Sequence, residues 1–275
     1  MKKILLTTAL LAASTGYAAA EVAVSGSARM GLIYNGTDTF FTSRIRVSFK
    51  MSGTTDGGLE FGASVRADQA GEANSGGTSM DAGSVFISGA FGKLEMGDVD
   101  TAANALVGNV SGVGLTGLGD WNELGYMGQE DTSILYTYSA GAFTAALSAG
   151  QIGTEAYSVA VKYSTDMYSV ALGFEDEGFG FDHQQITLGG SATFGGATVK
   201  AVVADSDHAS DTQFALSVDY KTGAATITAF YADHSGNESM GLGASYDLGG
   251  GAKVVGGVVD TGFDTIADLG ISLSF

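Results

Sequence analysis

The chain has 275 residues without cysteine or proline, and its 30 acidic and 12 basic residues give a formal net charge of −18. The lack of cysteine excludes disulfides, thiol catalysis and thiolate metal sites, while the excess of negative charge argues against nucleic acid and anionic lipid as partners. Proline normally makes up about 5% of residues, so its absence beside 43 glycines predicts a chain that is nearly all paired strand with tight turns.

The first 20 residues have the pattern of a secretory leader. Lys2 and Lys3 precede a largely apolar stretch at residues 4–13, and the alanines at 18–20 form an A-x-A cleavage site. A retained anchor is the alternative, but roughly ten apolar residues are too few for a bilayer, which takes about 20. We therefore expect residues 1–20 to be a cleaved signal peptide and residues 21–275 to form one domain.

Strands follow the leader in close and even succession. The first covers residues 22–34, and along residues 44–51 arginine, serine and lysine alternate strictly with isoleucine, valine, phenylalanine and methionine. Because successive side chains of a strand point to opposite faces, this segment has one charged and one apolar face. The alternation is equally clear at 59–66, 157–164, 213–220 and 269–275.

A soluble β-sandwich and a membrane-spanning β-barrel would both show this alternation. The residue types on the polar face and the lengths of the links must therefore decide between these two folds. Arginine and lysine share the polar face with glycine and serine, tyrosines recur near strand ends, and tight glycine-rich turns alternate with longer acidic links. These features are typical of outer-membrane barrels. After residue 20 no apolar run approaches the length of a membrane-spanning helix. The sequence therefore predicts an all-β transmembrane antiparallel β-barrel of about 16 strands.

One link, residues 99–131, is far longer than the others. Links of this length in a compact domain are usually functional or disordered, and its apolar residues, including the only tryptophan, Trp121, argue against disorder. Folding into the barrel would bury them and narrow the lumen. An external flap with solvated acids is the alternative. With the inward fold, the water path would be lined by the acids of this third loop, which are Asp100, Asp120, Glu123, Glu130 and Asp131.

Two weaker signals concern metals and catalysis. Three histidines in longer links each follow an aspartate: His183, His208 and His234. Asp-His pairs can act as general bases or metal ligands, but no nucleophile accompanies these. The preferred interpretation is that they are occasional histidines in acidic loops. Neighbouring loop carboxylates would suit Ca²⁺, although ordinary solvated charge is preferred: Asp205 with Asp207, and Asp176 with Glu177. We expect no cofactor, and loop Ca²⁺ stays an open alternative.

Several segments together resemble the general-diffusion porins of the Rhodobacter-type (alphaproteobacterial) family: ARMGLIYNG (28–36), MSGTTDGGLEFGAS (51–64), SGAFGKLEMGD (88–98), LYTYSAGAF (135–143), GLGASYDLGGGA (241–252) and ADLGISLSF (267–275). The resemblance implies a sixteen-stranded barrel, a homotrimer, and an inward third loop whose acids face a basic cluster on the wall. Carried onto this chain, the wall cluster is Arg29, Arg44, Arg46 and Arg66, and the loop acids are Asp100, Asp120 and Glu123. The chain differs from the family pattern in its shorter loops and in a loop stretch, 101–119, that holds no acid.

The function expected from these observations is a porin in the outer membrane of a Gram-negative bacterium. It would pass small hydrophilic solutes and ions by passive diffusion, with a preference for cations because acids outnumber bases. Its partners would be outer-membrane lipid, lipopolysaccharide and further copies of itself. The alternatives are an outer-membrane barrel enzyme of protease or lipase type, and a plugged structural or receptor barrel. An enzyme needs a nucleophile, a base and an orienting group, and the chain offers only the Asp-His pairs.

Overall fold

The fold is known from a computed structural model that describes residues 20–72, 75–80, 83–128, 132–178, 180 and 183–275. The predicted signal peptide, apart from residue 20, lies outside the described residues. Glu130 and Asp131 of the third loop also lie outside them.

The described residues form seventeen strand segments and one short helix, α1 (Ala102–Val107). The strands are β1 (Glu21–Tyr34), β2 (Thr39–Thr54), β3 (Glu60–Glu72), β4 (Ser75–Met80), β5 (Ser84–Gly89), β6 (Gly92–Gly97), β7 (Ser133–Ala140), β8 (Phe143–Ala149), β9 (Tyr157–Ser164), β10 (Tyr168–Asp176), β11 (Gln184–Phe194), β12 (Ala197–Ser206), β13 (Gln213–Thr222), β14 (Ala225–Asp233), β15 (Glu238–Gly249), β16 (Ala252–Asp260) and β17 (Thr265–Ser274). No helix within these described ranges has the length and apolar character needed to cross a membrane.

The strands close into a barrel of sixteen wall strands. Each pairs antiparallel with its neighbours in the chain, and β17 pairs back onto β1. Segments β4 and β5 both pair with β3, with registers that differ by one residue, so they are two parts of one wall strand with an irregularity between them. At the seam, the Phe275 N–H donates to the Gly26 carbonyl at 2.9 Å. The pairing of β17 with β1 closes the sheet, as a membrane-spanning β-structure requires.

The two faces of the wall have the predicted parity. On β2 the large apolar residues Phe41, Ile45 and Phe49 point outward and are exposed, Phe41 at 84%. Arg44 and Arg46 alternate with them and point into the lumen. A barrel of 16 strands encloses an aqueous channel unless something fills it. The alternation therefore separates a lipid-facing surface from a wet interior, as the sequence predicts.

The links also follow the predicted asymmetry. At one end of the barrel the strands are joined by tight glycine turns, and Gly195, Gly223 and Gly250 adopt positive φ angles of 56°, 59° and 64°. Such angles are strained for residues with a Cβ atom, so glycine at these positions allows the two-residue hairpins. The longer links lie at the other end.

Candidate pore constriction

The long link at residues 99–131 is called the inner loop below, and its described part, residues 99–128, folds into the barrel. Its helix α1 lies against the inner face of the wall, where the Ala102 N–H donates to Ser148 Oγ on β8 at 2.8 Å and the Ala103 N–H donates to Ser158 Oγ on β9 at 2.9 Å. Both alanines are fully buried. A glycine, Gly173 on β10, admits the helix, because a Cβ atom there would lie 2.5 Å from that of Ala103. The inward fold of the third loop is thus confirmed.

The inner loop returns on itself as two legs. The Asn122 side-chain amide donates to the Val110 carbonyl at 2.8 Å, the Leu124 N–H donates to Asn109 Oδ1 at 3.0 Å, and the Tyr126 hydroxyl donates to the carbonyl of residue 108 at 2.6 Å. These bonds hold residues 108–110 beside residues 122–126. The stretch between the legs, residues 111–121, is called the loop tip below.

Apolar burial keeps the inner loop against the wall. Its apolar residues enter three buried clusters with lumen-facing wall residues: Val110 and Leu124 with Val202, Ala204, Ala215 and Ala232; Leu106 with Leu135, Ala146 and Ala160; and Val113 and Leu118 with Phe230 and Val259. Burying one such side chain contributes about 1.5–3 kcal/mol. The apolar residues that argued against disorder in the sequence are therefore the ones that fix the loop inside the lumen.

The loop tip is bound to the wall by buried Asp268 on β17. Its carboxylate accepts three hydrogen bonds, from the Leu115 N–H at 2.8 Å, the Thr116 N–H at 2.6 Å and the Thr116 hydroxyl at 2.7 Å. Two wall glycines allow this approach, since a Cβ atom at Gly257 would lie 2.6 Å from the backbone nitrogen of Gly114 and one at Gly270 would lie 2.7 Å from a Leu115 methyl carbon. Hydrogen bonds to a charged acceptor are worth about 1.5–3 kcal/mol each.

Two further wall strands hold the two ends of the tip. Ser111 donates its N–H to Ser217 Oγ at 3.0 Å and its hydroxyl to Asp219 on β13 at 2.6 Å. The Trp121 carbonyl accepts from Ser239 Oγ on β15 at 2.9 Å, and His234 Nε2 lies 3.0 Å from the same oxygen. The tip therefore lies along the inner wall from β13 to β17.

The four predicted wall arginines lie together on the lumen face. In the strand register Arg29 of β1 stands directly opposite Arg44 of β2, and Arg46 and Arg66 follow on the same face. The group touches the loop tip, because Arg29 Nη1 donates to the carbonyl of residue 116 at 3.4 Å. The structure thus brings the four arginines together beside the loop tip, and their role in the constriction stays a prediction.

An aspartate that the sequence analysis did not single out lies within this cluster. Asp68 binds Arg46 at 2.8 Å and Arg66 at 3.0 Å, and Arg46 Nε also donates to both of its oxygens. Like charges side by side on one face of a sheet repel, and Asp68 offsets part of that repulsion. Its spacing of two residues from Arg66 was a readable signal, since residues i and i+2 share a face.

The acids of the inner loop are divided between two places. Asp100 and Glu123 line one cavity of about 630 Å³, together with Asp98, which directly precedes the loop. Asp98 also lines a neighbouring cavity of about 250 Å³ with Lys50 and Arg66 of the wall, so the acidic and basic sides meet at this residue. Asp120 lies in an exposed turn of the tip with φ at 54° and does not line the larger cavity. Its role in the constriction stays a prediction.

The surroundings of these loop acids favour their protonated forms. Loss of solvent raises the pKa of Asp100 first and the nearby Asp98 charge raises it further, although the carboxylate accepts a hydrogen bond from Asn104 at 2.9 Å. The pKa of Glu123 is raised by loss of solvent and then by Asp120. Burial likewise raises the pKa of the Tyr126 hydroxyl, with Glu175 and Glu123 adding to it.

The residues with weaker signals have ordinary partners. The rings of His183 and His208 meet edge to face at 4.6 Å, and His183 lies 3.6 Å from Asp207, whereas His234 packs near Trp121. Among the described residues no group of three or more His, Cys, Asp or Glu side chains is placed to hold a metal ion. The loop Ca²⁺ alternative stays a prediction.

Comparison with known proteins agrees with this architecture. The sequence model of the Gram-negative porin family matches residues 7–265. The porin of Rhodobacter capsulatus is 40% identical over 305 aligned residues, and that of Fuscovulum blasticum is 28% identical over 290; each match covers 93% of this chain and 100% of the relative. A porin structure refined at 1.8 Å superposes with a TM-score of 0.77 at 37% identity, and a variant of the Rh. blastica porin with 0.77 at 26%, with the same coverage. The chain belongs to the family of Gram-negative porins.

Proposed function

We propose that the channel of this porin prefers cations and that the acids at the start and on the return leg of the inner loop set this preference. The chain is an outer-membrane porin, not an enzyme, and its barrel passes small hydrophilic solutes and ions by diffusion. The alternatives of a barrel protease or lipase and of a plugged receptor are not favoured. The proposal concerns the sign of the charge that governs the narrowest path.

The observation that supports cation preference is the large excess of acids over bases in the chain, with acids on the loop side of the path that are unpaired among the described residues. On the basic side, two of the four arginines are bound to Asp68 at 2.8 and 3.0 Å. On the loop side, Asp98, Asp100 and Glu123 form no ion pair within the described part of the chain. Without the two lysines of the predicted leader, the formal net charge moves from −18 to −20. The chain as a whole therefore carries a large excess of negative charge, and the loop acids on the path have no cationic partner in the described structure, so the channel attracts cations.

Neutralising Asp100 and Glu123 should lower the cation preference. A unit charge acting across about 8 Å of water is worth about 0.5 kcal/mol, a factor of about two in local ion concentration. We therefore expect Asp100→Asn combined with Glu123→Gln to reduce the cation-to-anion permeability ratio about two- to fivefold. The measurement is the reversal potential of planar bilayers in a KCl gradient.

A matched control removes the same two charges from the short turns at the opposite end of the barrel. Asp56→Asn with Asp166→Asn changes exposed residues outside the cavity, and it should change the permeability ratio much less. Equal reversal potentials for the two double variants would show that net charge, rather than the loop acids, sets the selectivity.

The raised pKa values of Asp100 and Glu123 make this preference sensitive to pH. A carboxyl group is charged above its pKa and neutral below it, so on acidification these two groups lose their charge before ordinary carboxylates do. The cation preference of the wild-type channel should therefore begin to fall at a pH above the usual range of aspartate and glutamate. The same titration of the neutralised double variant should lack this early phase, and an identical profile would contradict the assignment.

The homotrimer is proposed on the basis of the family resemblance and the outer surface of β1. Small outward residues alternate there, and Val22 and Val24 are 60% and 62% exposed. Gly26 and Ala28 continue the same face toward the middle of the strand. Such a face allows a second barrel to pack closely. Cross-linking of detergent-extracted native protein should give a trimer, and a predominantly monomeric result would exclude it. Lipopolysaccharide stays a predicted partner.

We also propose that the leader is removed during export, as its charged start, apolar stretch and A-x-A site indicate. Amino-terminal sequencing of the protein from outer membranes should then start near Glu21. A sequence that starts at Met1 would contradict removal.

A further inference from the structure

A third charged cavity lies between the inner loop and the wall, on the side of the short turns. It has a volume of about 160 Å³ and is lined by Lys162 of β9, Lys200 of β12, the serines Ser169 and Ser191, and Asn109 of the loop. A liquid water molecule occupies about 30 Å³, so there is room for a small polyatomic ion with some of its hydration. We call it the lysine cavity.

We propose that the lysine cavity is a binding site for a small oxyanion of the phosphate type, either inorganic phosphate or the phosphate group of a passing solute. The inference goes beyond cation preference at the constriction, because it assigns a separate anion site on the same diffusion path. Neither proposal depends on the other.

The first argument is the unbalanced positive charge of the cavity. Lys162 and Lys200 are half-buried, and neither forms a hydrogen bond or an ion pair with any part of the chain that the structure describes. No acidic residue is among the described residues that line the cavity. Partly buried charges that lack a partner are unfavourable, so an anion that enters gains two cations without displacing an internal partner.

The nearest acid in the strand register is already engaged. Asp219 of β13 stands opposite Thr198, two residues from Lys200. One of its carboxylate oxygens accepts from the Ser111 hydroxyl at 2.6 Å, and the other accepts from the Thr228 hydroxyl at 2.6 Å. Those bonds bind Asp219 to the loop tip and to β14 rather than to the lysine.

The second argument is the set of neutral donors beside the lysines. The register aligns Ser169, Ser191 and Lys200 across three adjacent strands on the lumen face, and the hydroxyls of the two serines lie 2.9 Å apart. One hydroxyl donates to the other, so one proton of the pair stays available to an anion. Asn109 accepts from the Leu124 N–H through Oδ1, which leaves its amide NH₂ group as a further donor. An oxyanion is bound by such a combination of cations and neutral donors.

The third argument is that the fold keeps this space open. Ala171, Gly189 and Gly190 form the wall behind the donors and carry little or no side chain. A Cβ atom at Gly189 would lie 2.6 Å from a methyl carbon of Val107, so the glycine also fixes the distance between the loop and the wall. The inner loop therefore covers one side of the cavity, small wall residues line the opposite side, and the two lysines lie between them.

The test uses the reconstituted native channel with inorganic phosphate as the probe. At constant ionic strength, phosphate replaces chloride stepwise and the single-channel current is recorded. Occupancy of a site gives a current that changes with phosphate concentration and then saturates. We expect Lys162→Gln with Lys200→Gln to require at least tenfold more phosphate for the same half-change.

Matched variants separate a site from general electrostatics. Lys221→Gln with Lys253→Gln removes two exposed lysines near the same end of the barrel and should leave the phosphate dependence unchanged. Ser169→Ala with Ser191→Ala keeps both lysines and should weaken it severalfold. Equal shifts in the two lysine variants, or a current linear in phosphate for the wild type, would overturn the proposal. Broadening of the ³¹P resonance of phosphate by the detergent-solubilised protein, lost in Lys162→Gln with Lys200→Gln, is a second readout that does not depend on conduction.

Discussion

Removal of the loop tip is expected to raise the single-channel conductance on the order of twofold, because the tip occupies a lumen that a barrel of 16 strands would otherwise leave open to water. Residues 111–121 can be replaced by two glycines, since the Asn122 side-chain amide and the Val110 carbonyl are only 2.8 Å apart. The join leaves α1 and both legs of the inner loop in place. Planar-bilayer recording measures the change.

The wall should survive this excision, because the strand ladder from β1 to β17 does not pass through the loop. The hydrogen bonds between the wall and the tip involve wall side chains such as Ser217, Ser239 and Asp268, not the backbone groups that pair the strands. The control shortens a loop outside the lumen by removing residues 208–211 from the link between β12 and β13, and its conductance should equal that of the wild type. An unchanged conductance after excision of the tip would mean that another part of the channel limits the current.

The orientation of the wall residues could be predicted from the sequence, because the alternation of polar and apolar residues within a strand shows which side chains share a face. Arg44 and Arg46 alternate with Ile45 and Phe49, and a period of two permits only one assignment of these residues to lumen and lipid. The same reasoning placed Arg66 correctly. The same reasoning did not identify Asp68 as a partner of Arg66, although both lie on the same face. Opposite charges two residues apart occur in many strands without any functional role.

The attachment of the inner loop could not be predicted in the same way. Asp268 is one acid in an ordinary alternating strand, and its partners Leu115 and Thr116 lie 153 and 152 residues away in the chain. Only the closed barrel brings these parts together. The helix α1 left a local signal, because Thr101 precedes an alanine-rich segment and accepts a hydrogen bond from the Asn104 N–H as an N-cap. Its position against the serines of β8 and β9 left none.

Replacing Asp268 by alanine is expected to release the loop tip without opening the wall. The substitution leaves the N–H groups of Leu115 and Thr116 without their acceptor, and each lost bond to a charged group is worth about 1.5–3 kcal/mol. The ends of the tip would stay bound to Ser217 and Ser239. We therefore expect a mobile tip, seen as current fluctuations and a mean conductance between those of the wild type and the excised variant.

Trp121 offers a direct readout of this release, because it is the only tryptophan of the chain and its side chain packs against the cluster of Val113 and Leu118, which lie in the released part of the tip. Its ring packs edge to face with His234 at 6.3 Å. In Asp268→Ala its emission should shift to the red and its quenching by acrylamide should increase, while Asp268→Asn, which keeps one acceptor oxygen, should give an intermediate result. Ser272→Ala, on the same lumen face of β17, should change neither signal. Steady current and unchanged Trp121 emission in Asp268→Ala would show that the apolar contacts of Val113 and Leu118 hold the tip without the carboxylate.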